Sequence, residues 1–141
     1  MTVRLSDEAR RLIAAFEDAT DATAVDCVVD DDEDRVVFVV AAGDMGTAIG
    51  PGGSRVEALE DKLGRDVVLV EDAPTPEGFV ANALSPAAVY NVTISENDTT
   101  VAYAEVAHED KGVAIGAGGK NIQAAKTLAK RHFDVDDIQL T

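Results

Sequence analysis

Apolar positions along this chain keep a helical spacing, then an alternating or continuous one, and the switch occurs several times. Leu5, Leu12, Ile13 and Phe16 share one helical face. Ser6 precedes that face as an N-cap, and Asp7 and Glu8 sit in the first turn, where the helix dipole favours acids. A helix is predicted over 6–18. A β-branched run over 23–29, the five acids Asp30 to Asp34 and an apolar run over 35–42 then read as a hairpin with an acidic tip. Asp44 reads as the cap of a short helix that runs into Gly50. The span 54–63 is a second helix, ended by Gly64, and 66–70 is a third strand. Pro76, favoured at a first helical position, starts a helix reaching about Leu84. Strands over 88–95 and 99–106 face each other across an Asn97-Asp98 turn. A short helix over 110–115, a longer one over 119–133 and a strand over 136–140 complete the chain.

The order helix-strand-strand-helix-helix-strand therefore occurs twice, and one stretch repeats residue by residue. Asp44 to Gly53 (DMGTAIGPGG) matches Asp110 to Gly119 (DKGVAIGAGG) at Asp, Gly, Ala, Ile and the three last Gly. The joint falls near Ala73-Pro74-Thr75-Pro76, a short linker stiffened by two prolines. The expectation is an α+β protein of two domains, 1–73 and 74–141, each with a three-stranded sheet packed on helices.

Charge changes the picture in two ways. There are 27 acids against 12 bases, a net of −15, and only five lysines. Acid-rich, lysine-poor surfaces suit proteins of concentrated-salt cytoplasm, where a Debye length of about 3 Å mutes repulsion between an acidic protein and an anion. The total thus reports a halophilic habitat more than a partner. The distribution points to a partner: Lys111, Lys120, Lys126, Lys130 and Arg131 lie in a stretch, 111–132, that contains no acid. No apolar run is long enough for a bilayer, and Met1 to Arg11 has no apolar segment of secretory type. Cys27, alone in the chain, reads as a small buried hydrophobe. A cytoplasmic protein is expected.

Each copy carries a G-x-x-G core between two helices, Gly50-Pro51-Gly52-Gly53 and Gly116-Ala117-Gly118-Gly119. Glycine there permits positive φ and close backbone approach, and the following helix N-terminus is an anion site that fits phosphate. A dinucleotide fingerprint fails, since Arg55 stands where its last glycine belongs. A Walker loop fails as well: Asn121 follows Gly119-Lys120, and Ala114 replaces the first glycine. His108 and His132 have no Cys or His near them, the acids at 30–34 lack the spacing of a calcium loop, and no catalytic triad or carboxylate pair stands out. Neither a metal, a cofactor, a small-molecule substrate nor an enzymatic reaction is expected.

The αββααβ order with I-G-x-G-G between its second and third helices resembles the type II KH domain. Two in tandem, in an acidic chain of this length, resemble the archaeal NusA-like transcription factors, over essentially the whole chain. The resemblance implies single-stranded RNA as ligand, RNA polymerase as a further partner, and a role in pausing, termination or antitermination. Bacterial relatives carry a polymerase-binding domain and an S1 domain, for which 141 residues leave no room. By the same resemblance Gly50, Pro51, Gly52 and Gly53, with Gly116, Ala117, Gly118 and Gly119, clamp the RNA backbone. Ile49 and Ile115 line or underlie the groove. Lys120 reaches a phosphate, with Arg55 as its counterpart and Lys126 further along the basic helix. Two other roles stay open at this point: RNA binding in ribosome assembly or decay, and a protein-binding scaffold of degenerate KH folds. The second copy is expected to contribute most of the affinity, because Asp44, Glu57, Glu60 and Asp61 surround the first loop.

Overall fold

A computed structural model describes residues 3–141; Met1 and Thr2, which open both the expected domain 1–73 and the N-terminal stretch just discussed, lie outside the described residues. Arg4–Asp72 and Ala73–Thr141 fall in two compact units. The first runs α1 (Asp7–Thr20), β1 (Ala24–Asp30), β2 (Arg35–Val40), α2 (Met45–Ile49), α3 (Ser54–Leu63), β3 (Asp66–Glu71). The second runs α4 (Pro76–Ala83), β4 (Val89–Glu96), β5 (Thr100–Val106), α5 (Lys111–Ile115), α6 (Lys120–Phe133), β6 (Asp137–Leu140). Each has a three-stranded sheet, β1-β2-β3 or β4-β5-β6, with the first pair antiparallel and the second parallel. A parallel third strand needs a crossover, and the two helices with the glycine loop between them supply it.

Local chemistry sets the ends of these elements. Ser6 Oγ accepts from the Ala9 N–H at 3.0 Å, the cap its sequence predicts, and Thr75 Oγ1 accepts from the Gly78 N–H at 3.2 Å, capping the helix that Pro76 starts. α1 continues two residues beyond the predicted end and stops at Asp21, which takes the left-handed conformation. The link between β4 and β5 is a three-residue loop, 97–99, between the paired Glu96 and Thr100, not a two-residue turn. Both hairpins carry one extra residue at the same place: Val25 bulges between Ala24 and Asp26, and Tyr90 between Val89 and Asn91.

In the first unit Phe16 stacks on Phe38 at 4.7 Å between centroids, packed with Val36, Val40, Ala48, Leu59 and Cys27. In the second, Phe79 lies against Phe133 at 5.3 Å, and the inner face of β5 offers only Ala102, Ala104 and Val106. The aromatic bulk thus comes from both helix and strand in one unit and from helices alone in the other. The sheets also differ on their outer faces. Every residue of β2 is buried, while β5 alternates, with Tyr103 and Glu105 exposed. The acidic hairpin tip, Asp31 to Asp34, is exposed as expected, and Asp30 pairs with Arg35 at 3.2 Å.

Candidate nucleic-acid interface

The two loops superpose in their dihedral angles. Gly50 and Gly116 end α2 and α5 at φ 75°, ψ 173° and φ 78°, ψ 168°. Gly52 and Gly118 follow at φ 61° and 63°, and Gly53 and Gly119 at 79° and 80°. Three residues per loop therefore sit where L side chains are strained, which is why the pattern needs three glycines. Ile49 and Ile115, just before the loops, are exposed, and so is Val113 on α5. The position matching Val113 in the first copy is Thr47. The second loop thus has the more apolar flank.

Not every loop amide faces outward. The Gly50 N–H donates to Gly46 O and the Gly53 N–H to Gly50 O, and the Ser54 N–H closes on Pro51 O. Gly116, Gly119 and Lys120 repeat these three bonds. The loop donors left for an anion are those of the two middle positions: Gly52 alone in the first copy, because Pro51 has no N–H, and Ala117 and Gly118 in the second.

Asp44 and Asp110 do not cap the short helices. Asp44 Oδ2 accepts from the Thr23 N–H at 3.0 Å, and Asp110 Oδ2 from the Ala88 N–H at 2.8 Å, each tying the start of the short helix to the entry of the first strand. Arg55 also has a duty that its sequence position conceals. Its Nη1 donates to Thr47 O at 2.9 Å and to Thr20 O at 3.3 Å, behind the loop. Its partner in the repeat is Asn121, whose Nδ2 donates to Val113 O at 2.9 Å. Lys120 aligns with Ser54 instead.

The acid-free stretch is not an acid-free surface. The turn after α6 and the first residue of β6 bring acids back against α6. Lys126 pairs with Asp137 at 3.2 Å, and Lys130 with Asp134 at 2.9 Å and Asp136 at 2.8 Å. Lys126 is thus held at the β6 side of α6, seven residues on from Gly119. His132 stacks on Phe79 at 5.1 Å. Of the acids expected around the first loop, Asp44 is bonded to Thr23, and Glu60 Oε2 accepts from the Val67 N–H at 2.9 Å. Glu57 is the one that matters, since its Oε1 would lie 4.0 Å from a Cβ on Gly53. Gln123 takes its place in the second copy. Ser54, Arg55 and Glu57 beside one loop sum to 0, and Lys120, Asn121 and Gln123 beside the other sum to +1.

The Lys130 cluster has its own pH signature. Lys130 donates to Asp136, which holds that carboxyl below its ordinary 3.8, with the Thr100 N–H as the second cause. Asp136 and then Asp134 hold the Lys130 ammonium above its usual range. A carboxyl lowered by folding stabilises the fold above 3.8, and that contribution is lost as pH falls through the folded value. The raised ammonium stabilises at and below its ordinary 10.5 and loses the contribution only in strong alkali. Lys130→Met should therefore make the acid limb of a low-salt pH–stability curve shallower below about pH 4. Circular dichroism melts across that range measure it, and molar salt shrinks the difference.

Comparison with known proteins places this geometry. A model of the KH domain matches residues 10–75, and a model of the NusA-like second KH domain matches 76–141. The chain is 81 % identical, over its whole length and all of theirs, to proteins of Halobacterium salinarum named probable transcription termination protein NusA. The chain belongs to the NusA family. A NusA of Halococcus morrhuae is 61 % identical over 99 % of both chains, and the acid-rich, halophilic composition fits these sources. The transcription termination/antitermination protein NusA of Bacillus subtilis is 36 % identical over 64 % of this chain and 24 % of its own length. Among solved structures, the crystal structure of APE1850 matches with a TM-score of 0.85 and 31 % identity, over 97 % of this chain and all of that one. The NusA-like fold is thus the two αββααβ units described above. Among the described residues no helix is long and apolar enough to cross a membrane, and no group of His, Cys, Asp and Glu could hold a metal ion.

Proposed function

We propose that this NusA-family chain binds single-stranded RNA through its two glycine loops and acts in transcription termination or antitermination. The observation that carries the reading is the second loop: the exposed Ala117 and Gly118, whose amides lie outside the loop's own hydrogen bonds, Lys120 next to them and the exposed Val113 and Ile115 alongside. Amides and lysine suit a phosphate, and the apolar flank suits an unpaired base, which a duplex does not present. Ile49, Gly52, Ile115, Ala117, Gly118 and Lys120 are the contact residues of this proposal. Gly50, Gly53, Gly116 and Gly119 shape the loops, Pro51 limits the first, and Lys126 acts at a distance through the field of α6. RNA polymerase is the further partner, the cytoplasm the setting, and no reaction is catalysed.

Fluorescence anisotropy with a labelled oligoribonucleotide, single-stranded or annealed to its complement, tests the proposal at molar KCl. The single strand should bind and the duplex should not. Equal binding of both, or of neither, overturns it. A salt slope corresponding to few phosphate contacts is also expected, because each loop offers so few donors.

A further inference from the structure

We infer that Asn121 and Arg55 are positioning residues that lock the two glycine loops in shape without touching the ligand. The consequence for RNA rests on the function proposed above; the lock itself does not. Gly50 and Gly116 are each roofed by the side chain five residues on. A Cβ on Gly50 would lie 2.6 Å from Arg55 Cγ, and one on Gly116 2.8 Å from Asn121 Cγ, so neither site has room for alanine. From that seat each side chain reaches back across the loop. Arg55 Nη1 meets Thr47 O and Asn121 Nδ2 meets Val113 O, both at 2.9 Å.

Thr47 and Val113 occupy the same place in helices of five residues. Carbonyls in a last helical turn have no intrahelical partner, so each bond satisfies a group that would otherwise depend on water. It also ties the end of the short helix to the first turn of the long one, the two points between which the loop is strung. An arginine and an asparagine differ in length, charge and shape. That both make the same bond at matching positions marks the bond as what the loop requires. Both donors bond carbonyls of the short helices, and the exposed middle positions, Gly52, Ala117 and Gly118, lie outside these bonds.

The test uses the full chain without RNA first. Hydrogen exchange is read at the Gly116 and Gly119 amides, which are bonded inside the loop, with Ala125 and Leu128 in α6 as controls for intact folding. Asn121→Ala should speed exchange at the two loop amides about fivefold, the equivalent of one ordinary hydrogen bond, and leave the controls unchanged. Asn121→Arg, which installs the donor of the first unit, should restore the slow rates. RNA affinity should weaken about fivefold in Asn121→Ala. Unchanged loop exchange in Asn121→Ala overturns the inference, as does failure of Asn121→Arg to restore it. Weakened RNA binding with unchanged exchange would make Asn121 a direct contact, which also overturns it. If exchange responds as expected but the unmodified chain binds no RNA, the lock stands and the function proposed above fails.

Discussion

Replacing Gly118 with Asp is expected to cost about 10- to 100-fold in affinity for single-stranded RNA, while the chain stays folded. The magnitude is that of one hydrogen bond to a charged group, roughly 1.5–3 kcal/mol. The substitution suits the site for two reasons. A Cβ on Gly118 meets nothing within 4 Å, and the backbone there, φ 63° and ψ 16°, is the left-handed region that Asp tolerates better than most residues. The added carboxylate stands over the amides that a phosphate would approach. Gly52→Asp in the first loop has the same steric freedom but less to lose, because Pro51 withholds one donor and Glu57 already sets a negative charge nearby. Anisotropy titrations of both single variants and the double variant measure the order expected: Gly118→Asp the larger loss, Gly52→Asp the smaller, the double variant the largest. Equal losses from the two would remove the argument for an unequal pair.

Phe38→Ala should cost about 3–5 kcal/mol, enough to unfold much of the first unit, since whole domains hold together by only about 5–15 kcal/mol. Phe38 is wholly buried at the centre of β2 and stacks on Phe16 from α1, so its removal leaves a hole that neither layer can close. Phe38→Leu keeps most of the volume and should cost under about 1.5 kcal/mol. The matching position in the second unit, Ala104, responds in the opposite sense. It is buried beneath helices that already bring in Phe79 and Phe133, and Ala104→Phe should destabilise by about 1–3 kcal/mol through overpacking. Urea unfolding of the three variants in high salt checks all of these.

Most of the fold was legible because local signals agreed with one another. Ser54 to Leu63 was predicted to the residue, with Gly64 to end it, and the doubled DxGxAIGxGG stretch announced both the repeat and the loops. What escaped was mostly a partner outside the element or motif that carries the residue. Asp44 stands where a cap would stand, and nothing nearby says that its carboxylate turns to Thr23, on the far side of the hairpin. Lys126 and Lys130 lie in an acid-free stretch of sequence, yet the chain turns at Asp134 and runs back as β6 with the acids that neutralise them. Asn121 has the least conspicuous side chain in its motif and holds one of its more important bonds. The sequence also carries the unbroken apolar run of β2 against the alternation of β5, the usual mark of a strand covered on both faces against one wetted on one side.

A helix of five residues has too few internal bonds to persist alone. α2 and α5 endure because a carboxylate anchors one end to the strand entry, which makes each of them a strut and not a free-standing element. The RNA therefore meets a surface already assembled, and little ordering accompanies its arrival. Were the anchors absent, the same encounter would include building the strut, and calorimetry would register more heat released against a larger entropic penalty.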